Sequence, residues 1–331
     1  MIFDSSVKDL IKAAFEVEKD VFLKLSSFDT KELSFDGIKT VVFLNGAFYE
    51  NENSLFGDFR NPPSKLFGVS ASDVIYADIR FSYDENFRKF LKDNSYRRFA
   101  VLFAECAAVG EYGWKSSYSM LGDLREQRED YCQIVAFLSS FSDCIDECRI
   151  AFSAENAVFA GEDIIPEFSA FKARDMSEKK YLLAQQIEKY AFKNICVYFN
   201  SRSEALEFSR YLSNRGTRAK IFDGTKSFSE MQEISRFFEN GEYNILLATK
   251  SFIPSSLFFP VDKVYFCGVP FSLSHVYRCA FSLKNEPVRI IYCEDDIARN
   301  NKIIDSYAKT LGDVEISIKR RKSLLDITKL L

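Results

Sequence analysis

Short apolar stretches alternate with helical patterns along almost the whole chain. In the second half, strands are predicted at 195–199, 219–222, 245–249, 264–267 and 290–293. After the first of these, Ala205, Phe208 and Leu212 recur at helical spacing, and Gly216 is predicted to cap the end of that helix. Strands that alternate with helices are typical of a parallel sheet covered by helices. The second half is therefore predicted to be an α/β domain that these five strands complete.

The first half has the same pattern with longer irregular stretches. Strands are predicted at 20–25, 40–44, 74–77, 99–104 and 133–138, and helices among others at 7–17 and 84–92. The polar stretch 160–176, with Gly161 and Pro166, is predicted to link two domains. A chain of 331 residues is long enough for two domains that each bury a core. We place the boundary near residue 170, which gives domains 1–170 and 171–331.

Composition limits the class of protein. The chain is 47% hydrophobic and 28% charged, as is usual for a soluble globular protein. Its sequence contains no apolar run of the roughly 18 residues that a membrane span needs, and acidic residues occur near the N-terminus. We expect a cytoplasmic protein that does not bind membranes. The net charge of −4 disfavours a broad nucleic-acid-coating surface but allows a local basic groove.

The cysteines and the single histidine argue against two kinds of site. The eight cysteines include no CxxC pair, and Cys144 and Cys148 have no second pair nearby. Because His275 is the only histidine, Ser/His/Asp and Cys/His catalysis are disfavoured as well. We therefore prefer buried structural thiols to a zinc site, and we expect no bound metal.

Several segments resemble the motifs of a known family in order and in spacing. In the second half they are Asn200-Ser201-Arg202, Asn214-Arg215-Gly216, Asp223-Gly224 and the strand end Leu246-Leu247-Ala248-Thr249. In the first half they are the segments 74–80, 103–107 and 109–118. Together they resemble RecQ-type superfamily 2 DNA helicases over nearly the whole chain. The resemblance implies two tandem RecA-like domains, each a mainly parallel sheet flanked by helices.

The same resemblance implies a nucleotide site whose central residues are replaced. The family's phosphate-binding loop corresponds to a stretch with a bulky ring, a carboxylate and no glycine: Ser27, Phe28, Asp29, Thr30 and Lys31. Such a loop needs glycines so that backbone N–H groups converge on the phosphate. Ala104 stands where the family has its Mg²⁺-binding aspartate, while Glu105 keeps the position of the water-orienting acid. We therefore expect no nucleotide cofactor.

Further family positions are also changed. Val7 replaces the adenine-reading glutamine, Asp4 replaces an arginine, and Arg278 lies outside the arginine-finger positions of the segment 277–284. A missing arginine finger alone lowers the rate by about 10³ to 10⁵. Because these residues act as a unit, their joint replacement predicts a helicase-like pseudoenzyme that neither hydrolyses ATP nor unwinds strands.

The resemblance also implies candidate contacts to DNA. The loop that couples DNA contact to hydrolysis in the family contains Tyr112, Trp114, Lys115 and Tyr118. Aromatic rings in such loops stack on bases. The alternative is that Tyr112 and Trp114 pack between the two domains.

A second set of candidates lies at turns between strands and helices: Asn200, Ser201, Arg202 and Thr249. Helix N-termini at such turns bind phosphate through free N–H groups. For Ser201 we prefer helix capping.

Two charged clusters receive structural interpretations. The basic run Lys319-Arg320-Arg321-Lys322 precedes the final amphipathic segment, and we prefer a solvated tail to a phosphate-binding site. Asp295-Asp296 is interpreted as acidic charge at a helix N-terminus.

Three hypotheses of function remain open. The preferred one is an inactive RecQ-like protein that binds single-stranded or branched DNA as an accessory in repair, recombination or DNA uptake. The second is a scaffold for a protein partner that binds neither DNA nor nucleotide. The third is an enzyme that uses Glu105 or Asp29 in a new role, although the sequence contains no cluster of converging polar groups.

Overall fold

The computed structural model describes two compact units. The described residues are 5–24, 33, 36–44, 54–55, 73–108, 116–138, 145–161, 167–223, 228–249, 261–280, 283, 286–311, 314–329 and 331. Those up to residue 161 form unit 1, and those from residue 167 onward form unit 2. Within these ranges, none of the helices is long and apolar enough to cross a membrane.

Unit 1 is a parallel sheet flanked by helices. Its strands are β1 (Val21–Lys24), β2 (Thr40–Leu44), β3 (Ser54–Leu55), β4 (Val74–Asp78), β5 (Arg98–Leu102), β6 (Gln133–Leu138) and β7 (Val158–Ala160). Its helices are α1 (Ser5–Glu16), α2 (Glu85–Asp93), α3 (Met120–Glu126) and α4 (Ile145–Ala151), with short 3-10 helices at Ile79–Tyr83, Ala104–Ala107 and Ser116–Tyr118. The strand order is β3-β4-β2-β5-β6-β1-β7, and all neighbours are parallel.

Unit 2 has the same architecture. Its strands are β8 (Phe168–Lys172), β9 (Ile195–Phe199), β10 (Lys220–Phe222), β11 (Ile245–Ala248), β12 (Lys263–Cys267) and β13 (Val288–Tyr292). Its helices are α5 (Met176–Lys189), α6 (Arg202–Asn214), α7 (Phe228–Glu239), α8 (Leu273–Ala280), α9 (Asp295–Leu311) and α10 (Val314–Thr328). The strand order is β10-β11-β9-β12-β13-β8, again with parallel neighbours.

The predicted parallel α/β class is confirmed, but the predicted linker is wrong in part. Strand β8 lies inside the stretch 160–176 and pairs with β13, so the described sheet of unit 2 has six strands rather than five. Strands β3 and β7 were not predicted either. Both β7 and β8 lie at sheet edges, where Phe159 is 43% and Phe171 is 53% exposed. Edge strands lack the continuous apolar run that marks a strand buried on both faces.

The predicted spacing and end of helix α6 are confirmed. The helix ends at Asn214, Arg215 is its C-cap, and Gly216 follows with φ of +78°. Ala205, Phe208 and Leu212 are buried in the core of unit 2. The apolar spacing and the capping glycine were therefore sufficient to define this helix.

The basic run 319–322 is not a solvated tail. It lies in α10, where Arg320 is 5% exposed on the same face as the buried Leu324 and Ile327. Lys319 pairs with Glu315 at 3.2 Å, and Arg321 pairs with Asp305 of α9. The i, i+4 and i+7 spacing of Arg320, Leu324 and Ile327 places Arg320 on the inner face, and the charge of the run alone does not indicate this position.

The seven cysteines that the structure describes are buried, and none of these seven forms a disulfide. Cys148, for example, donates from Sγ to the Ala104 carbonyl at 3.2 Å. The preference for structural thiols is confirmed for these residues. Cys144 lies outside the described residues.

Gly161 marks a close approach of two backbone segments in unit 1. It follows β7 with φ of +116°, and a Cβ at this position would lie 2.1 Å from the Lys24 carbonyl oxygen at the end of β1. Only glycine avoids both the unfavourable φ and the clash. The end of β1, immediately before the family's phosphate-loop position, is therefore in contact with the end of β7.

We expect Gly161→Ala to lower the free energy of unfolding by about 2 to 4 kcal/mol, because strain and backbone displacement add. Urea denaturation measures the change. Gly37→Ala is the matched control, since Gly37 has φ of +74° and no atom within 4 Å of an added Cβ. Its expected cost is about 1 to 2 kcal/mol from backbone strain alone. Equal costs at the two positions would contradict the close approach.

Candidate nucleic-acid interface

Three of the predicted contact residues lie at one edge of the sheet of unit 2. Asn200 and Ser201 follow β9, and Thr249 follows β11. Strands β9 and β11 are hydrogen-bonded and parallel, with Ala248 opposite Tyr198, so both end at this edge. Neighbouring strands lie about 4.8 Å apart. The fold thus brings together residues that are separated by nearly fifty positions, at the edge where open α/β sheets bind their ligands.

Ser201 caps helix α6. Its Oγ accepts a hydrogen bond from the Glu204 backbone N–H at 3.2 Å, and it donates to Glu204 Oε2 at 3.2 Å. The predicted capping role is confirmed. Because the hydroxyl is used in this way, a phosphate at the helix end would be bound by the remaining N–H groups of the first turn.

Arg202 reaches from the first turn of α6 to the end of β10. Its Nε lies 3.0 Å from Asp223 Oδ2, and its side chain is 53% exposed whereas that of Asp223 is 3% exposed. The buried carboxylate positions the guanidinium across the end of β11, which lies between β9 and β10. An exposed, positioned arginine at a helix N-terminus is suited to a phosphate contact.

Asn200 is held by hydrogen bonds to the turn after β12 and to helix α9. Its Nδ2 donates to the Val269 carbonyl at 2.8 Å and to Asn300 Oδ1 at 2.6 Å. Asn300 in turn donates from Nδ2 to the same Val269 carbonyl at 2.7 Å. Asn200 therefore fixes the turns after β9 and β12 to helix α9, and its amide donor is already used.

Thr249 is the least accessible of the four candidates. It is 8% exposed, and its backbone N–H donates to the Phe222 carbonyl at 3.1 Å, which extends the pairing of β10 with β11. Its place at the predicted edge agrees with the motif. The small exposed fraction restricts any ligand contact to a single atom or two.

A buried ion pair supports this edge from within. Lys179 Nζ lies 2.5 Å from Asp296 Oδ1, and the side chains are 0% and 3% exposed. Asp296 Oδ2 also accepts from the Cys293 N–H at 2.7 Å in the first turn of α9, which agrees with the predicted helix-terminal role. Burial lowers the pKa of Lys179, but the acidic groups Cys267 and Asp296 outweigh it, so the pKa is raised. Lys179 is therefore charged at neutral pH.

The cations at this edge are largely neutralised. Arg202 pairs with Asp223, and Arg299 of α9 pairs with Glu204 at the start of α6. Each guanidinium thus already has a carboxylate partner. The electrostatic attraction of this edge for a polyanion is correspondingly modest.

Tyr118 does not have the exposure that base stacking requires. It lies in unit 1, is 1% exposed, and packs with its ring centroid 6.4 Å from that of Phe152. The ring belongs to the core of unit 1, since Tyr118 ends the 3-10 helix Ser116–Tyr118 with its side chain buried. Tyr112, Trp114 and Lys115 lie outside the described residues, so their assignment stays a prediction.

The acidic motif of unit 1 does not fit a magnesium nucleotide. Ala104 has no side-chain oxygen, and Glu105 is 0% exposed in the 3-10 helix after β5. Phe103 precedes them with φ of +52°, a left-handed conformation that costs a bulky residue about 1 to 2 kcal/mol. The tight turn of the motif is thus present without its metal ligand. Ser27, Phe28, Asp29, Thr30 and Lys31 lie outside the described residues.

Arg278 and His275 are core residues of unit 2. Both lie on α8 and are 1% and 3% exposed, respectively. Burial, aided by the charge of Arg278, holds the pKa of His275 well below its usual range, so the imidazole is neutral at pH 7. Neither side chain is accessible to a ligand.

No protein-family model matches the chain, and no curated protein sequence matches it. Many solved structures are similar in fold, and they include the following three. The DEAD-box helicase Mss116 bound to ssRNA and UDP-BeF has a TM-score of 0.65 at 14% identity, covering 87% of this chain and 69% of that one. Helicase Lhr of Mycobacterium smegmatis bound to ssDNA and AMP-PNP has a TM-score of 0.64 at 14% identity, covering 92% of this chain and 47% of that one. The DUF1998 helicase MrfA bound to DNA and AMPPNP has a TM-score of 0.62 at 11% identity, covering 91% of this chain and 48% of that one.

The chain has the tandem RecA-like fold of these helicase structures. It spans about half the length of Lhr and of MrfA. Within this helicase fold, the sequence located the strand ends that form the candidate interface. It did not identify the residues that hold the interface, namely Lys179, Asn300, Arg299 and the buried Asp223 as partner of Arg202. These contacts join positions far apart in sequence, and no local spacing indicates them.

We expect Lys179→Met to lower the free energy of unfolding by about 3 to 5 kcal/mol, because it leaves the carboxylate of Asp296 buried without its cation. The double variant Lys179→Met/Asp296→Asn should recover part of the loss, since the amide oxygen still accepts from Cys293. Urea denaturation measures all variants.

Lys180→Met is the matched control for this ion pair. Lys180 pairs with Glu207 at the surface, where the partner side chain is 62% exposed. The expected cost is about 0 to 1 kcal/mol. The supporting role of Lys179 is refuted if its replacement costs no more than that of Lys180.

Proposed function

We propose that this helicase-like protein binds single-stranded or branched DNA through the carboxyl edge of unit 2 and does not hydrolyse ATP. Its role would be that of an accessory in DNA repair, recombination or uptake. The proposal depends chiefly on one observation, the convergence of Asn200, Ser201 and Arg202 with Thr249 at the ends of adjacent parallel strands. Similar folds bound to ssRNA, ssDNA and DNA support it.

The chemistry of the edge is suited to a phosphate backbone. Helix α6 points its N-terminus to this edge, where the first-turn N–H groups and the helix dipole favour an anion. Arg202 adds a guanidinium that is half exposed and fixed by Asp223. Contacts of this kind position the backbone without recognising a base sequence. We therefore expect affinity that depends little on sequence.

The residues of unit 1 at the family's catalytic positions do not provide catalysis. Hydrolysis in this fold needs a metal ligand and an accessible acid, whereas Ala104 supplies no side-chain oxygen and Glu105 is buried. The replaced phosphate loop at Ser27 to Lys31 adds a carboxylate at the position of a polyanion. No step of ATP hydrolysis is therefore assigned to this chain.

We expect labelled single-stranded DNA to bind at about 50 mM salt and to lose roughly 10- to 20-fold in affinity at about 200 mM, as about three phosphate contacts require. Fluorescence anisotropy measures the binding. Arg202→Gln should weaken it about 3- to 5-fold at low salt and reduce the salt slope by about 0.7, the share of one phosphate.

Arg202→Lys is the control that keeps the charge, and its affinity should stay near that of the wild type. Thermal melting of both variants separates lost binding from lost stability. If nothing binds at low salt, the fold serves instead as a scaffold for a protein partner.

We expect no release of phosphate from ATP with magnesium, with or without single-stranded DNA. The assay compares the wild type with Glu105→Gln, because a true activity would depend on the acid of the motif. DNA-stimulated hydrolysis that Glu105→Gln abolishes would overturn the assignment as a pseudoenzyme.

A further inference from the structure

A cationic and aromatic surface lies at the opposite, amino edge of the sheet of unit 2. We call it the amino-edge surface and define it by Lys189, Tyr190, Phe192, Lys193 and Arg289. Lys189 ends α5, Tyr190 is the C-cap of that helix, and the following turn leads into β9. Arg289 is the second residue of β13. The parallel strands place these residues together because their amino ends meet at one edge.

Phe192 is an exposed ring on a fixed turn. It is 78% exposed, the most exposed aromatic side chain among the described residues. Asn194 N–H donates to Asp262 Oδ2 at 2.9 Å, and Asp262 N–H donates back to the Asn194 carbonyl at 2.8 Å. Asn244 Nδ2 donates to the Ala191 carbonyl on the other side. The turn is therefore held by both neighbouring strand connections, while its largest apolar group faces solvent.

Cations surround the two rings of this surface. Lys193 Nζ lies 5.7 Å from the Phe192 ring centroid, and Lys189 Nζ lies 5.3 Å from that of Tyr190. The guanidinium of Arg289 lies 5.7 Å from the Tyr190 ring. The pKa of Tyr190 is lowered, first by a hydrogen bond from Arg289 and further by the charges of Lys189 and Lys263. The surface thus carries a positive potential.

These cations do not have the one-to-one carboxylate partners that those of the carboxyl edge have. Lys263 nearby pairs with Glu286 at 2.6 Å. Among the described residues, Lys189, Lys193 and Arg289 have no carboxylate within salt-bridge distance, and Arg289 donates to the neutral Tyr265 hydroxyl at 3.3 Å. The pKa of Glu286 is lowered first by the hydrogen bond that Lys263 donates and further by the charges of Lys263, Arg289 and Lys193. One carboxylate is thus shared by three cations, and an excess of positive charge remains beside the exposed ring.

We propose that the amino-edge surface is a second contact for single-stranded nucleic acid, with a base stacked on Phe192 and phosphates bound by Lys189, Lys193 and Arg289. Stacking on an aromatic side chain contributes about 1 to 3 kcal/mol per base and tolerates any sequence. This inference extends the proposed function, because it places a contact on the same unit at the edge opposite Arg202. The five-residue strand β9 separates the two edges by roughly 16 Å.

The chain supplies a matched control in the dipeptide Phe171-Lys172 of β8. Phe171 is also exposed, at 53%, but Lys172 pairs with Glu294. Phe171 therefore resembles Phe192 as an exposed ring, but the cation next to it is neutralised. If removing any surface phenylalanine weakened DNA binding, Phe171→Ala and Phe192→Ala would have equal effects on the affinity.

We expect Phe192→Ala to weaken binding of a DNA strand of about 30 nucleotides by roughly 5- to 100-fold, the equivalent of one stacked base. Phe171→Ala should leave the affinity within about 2-fold, well below one stacked base. Lys193→Gln should reduce the salt slope by about 0.7. A bromouracil-containing strand should form a photocrosslink to the peptide that contains Phe192.

The outcomes separate this inference from the proposed function. Loss of affinity in Phe192→Ala without loss in Arg202→Gln supports the amino edge and refutes the carboxyl edge. Loss in Arg202→Gln with no change in Phe192→Ala refutes the amino-edge contact. If polyglutamate of matched charge displaces the strand as well as unlabelled DNA does, the surface recognises charge alone, and base stacking is refuted.

Discussion

Parallel hydrogen bonding between β11, β9 and β12 is the constraint on which unit 2 depends. Because these strands run in one direction, their carboxyl ends and their amino ends form two distinct edges. The first edge collects Asn200 and Thr249 with the N-terminus of α6, and the second collects Phe192 and its cations. Strand direction alone therefore separates the two sets of residues.

Buried polar contacts hold the carboxyl edge in place, and ion pairs neutralise most of its positive charge. The Lys179–Asp296 pair and the Asn200–Asn300 contact hold α9 against the strand ends. Gly268, with φ of +115°, brings the end of β12 close to Asp296. The exposed cations Arg202 and Arg299 are themselves paired with acids, so the proposed phosphate contact at this edge would depend on orientation more than on net charge. At the amino edge, Lys189, Lys193 and Arg289 have no carboxylate within salt-bridge distance among the described residues, and Phe192 is exposed.

The sequence predicted what local spacing determines. Buried strands and the capped helix α6 depend on neighbouring residues, and the structure agrees with both predictions. The edge strand β8 was missed because its residues are only partly buried. Tyr118 was misjudged because an aromatic residue in a loop has no local sign of burial. The sequence did not predict a role for Phe192. It is one of 34 phenylalanines, and only its 78% exposure and its cationic neighbours distinguish it from a core residue.

The central claim is that a helicase fold binds nucleic acid without using ATP. The most direct test is the affinity for single-stranded DNA at low salt, measured with magnesium alone, with added ATP and with added ADP. The account predicts binding whose affinity is the same in all three conditions, because no nucleotide occupies the replaced site. An affinity that changes several-fold between ATP and ADP would contradict it, since it would demonstrate a working nucleotide site coupled to DNA binding.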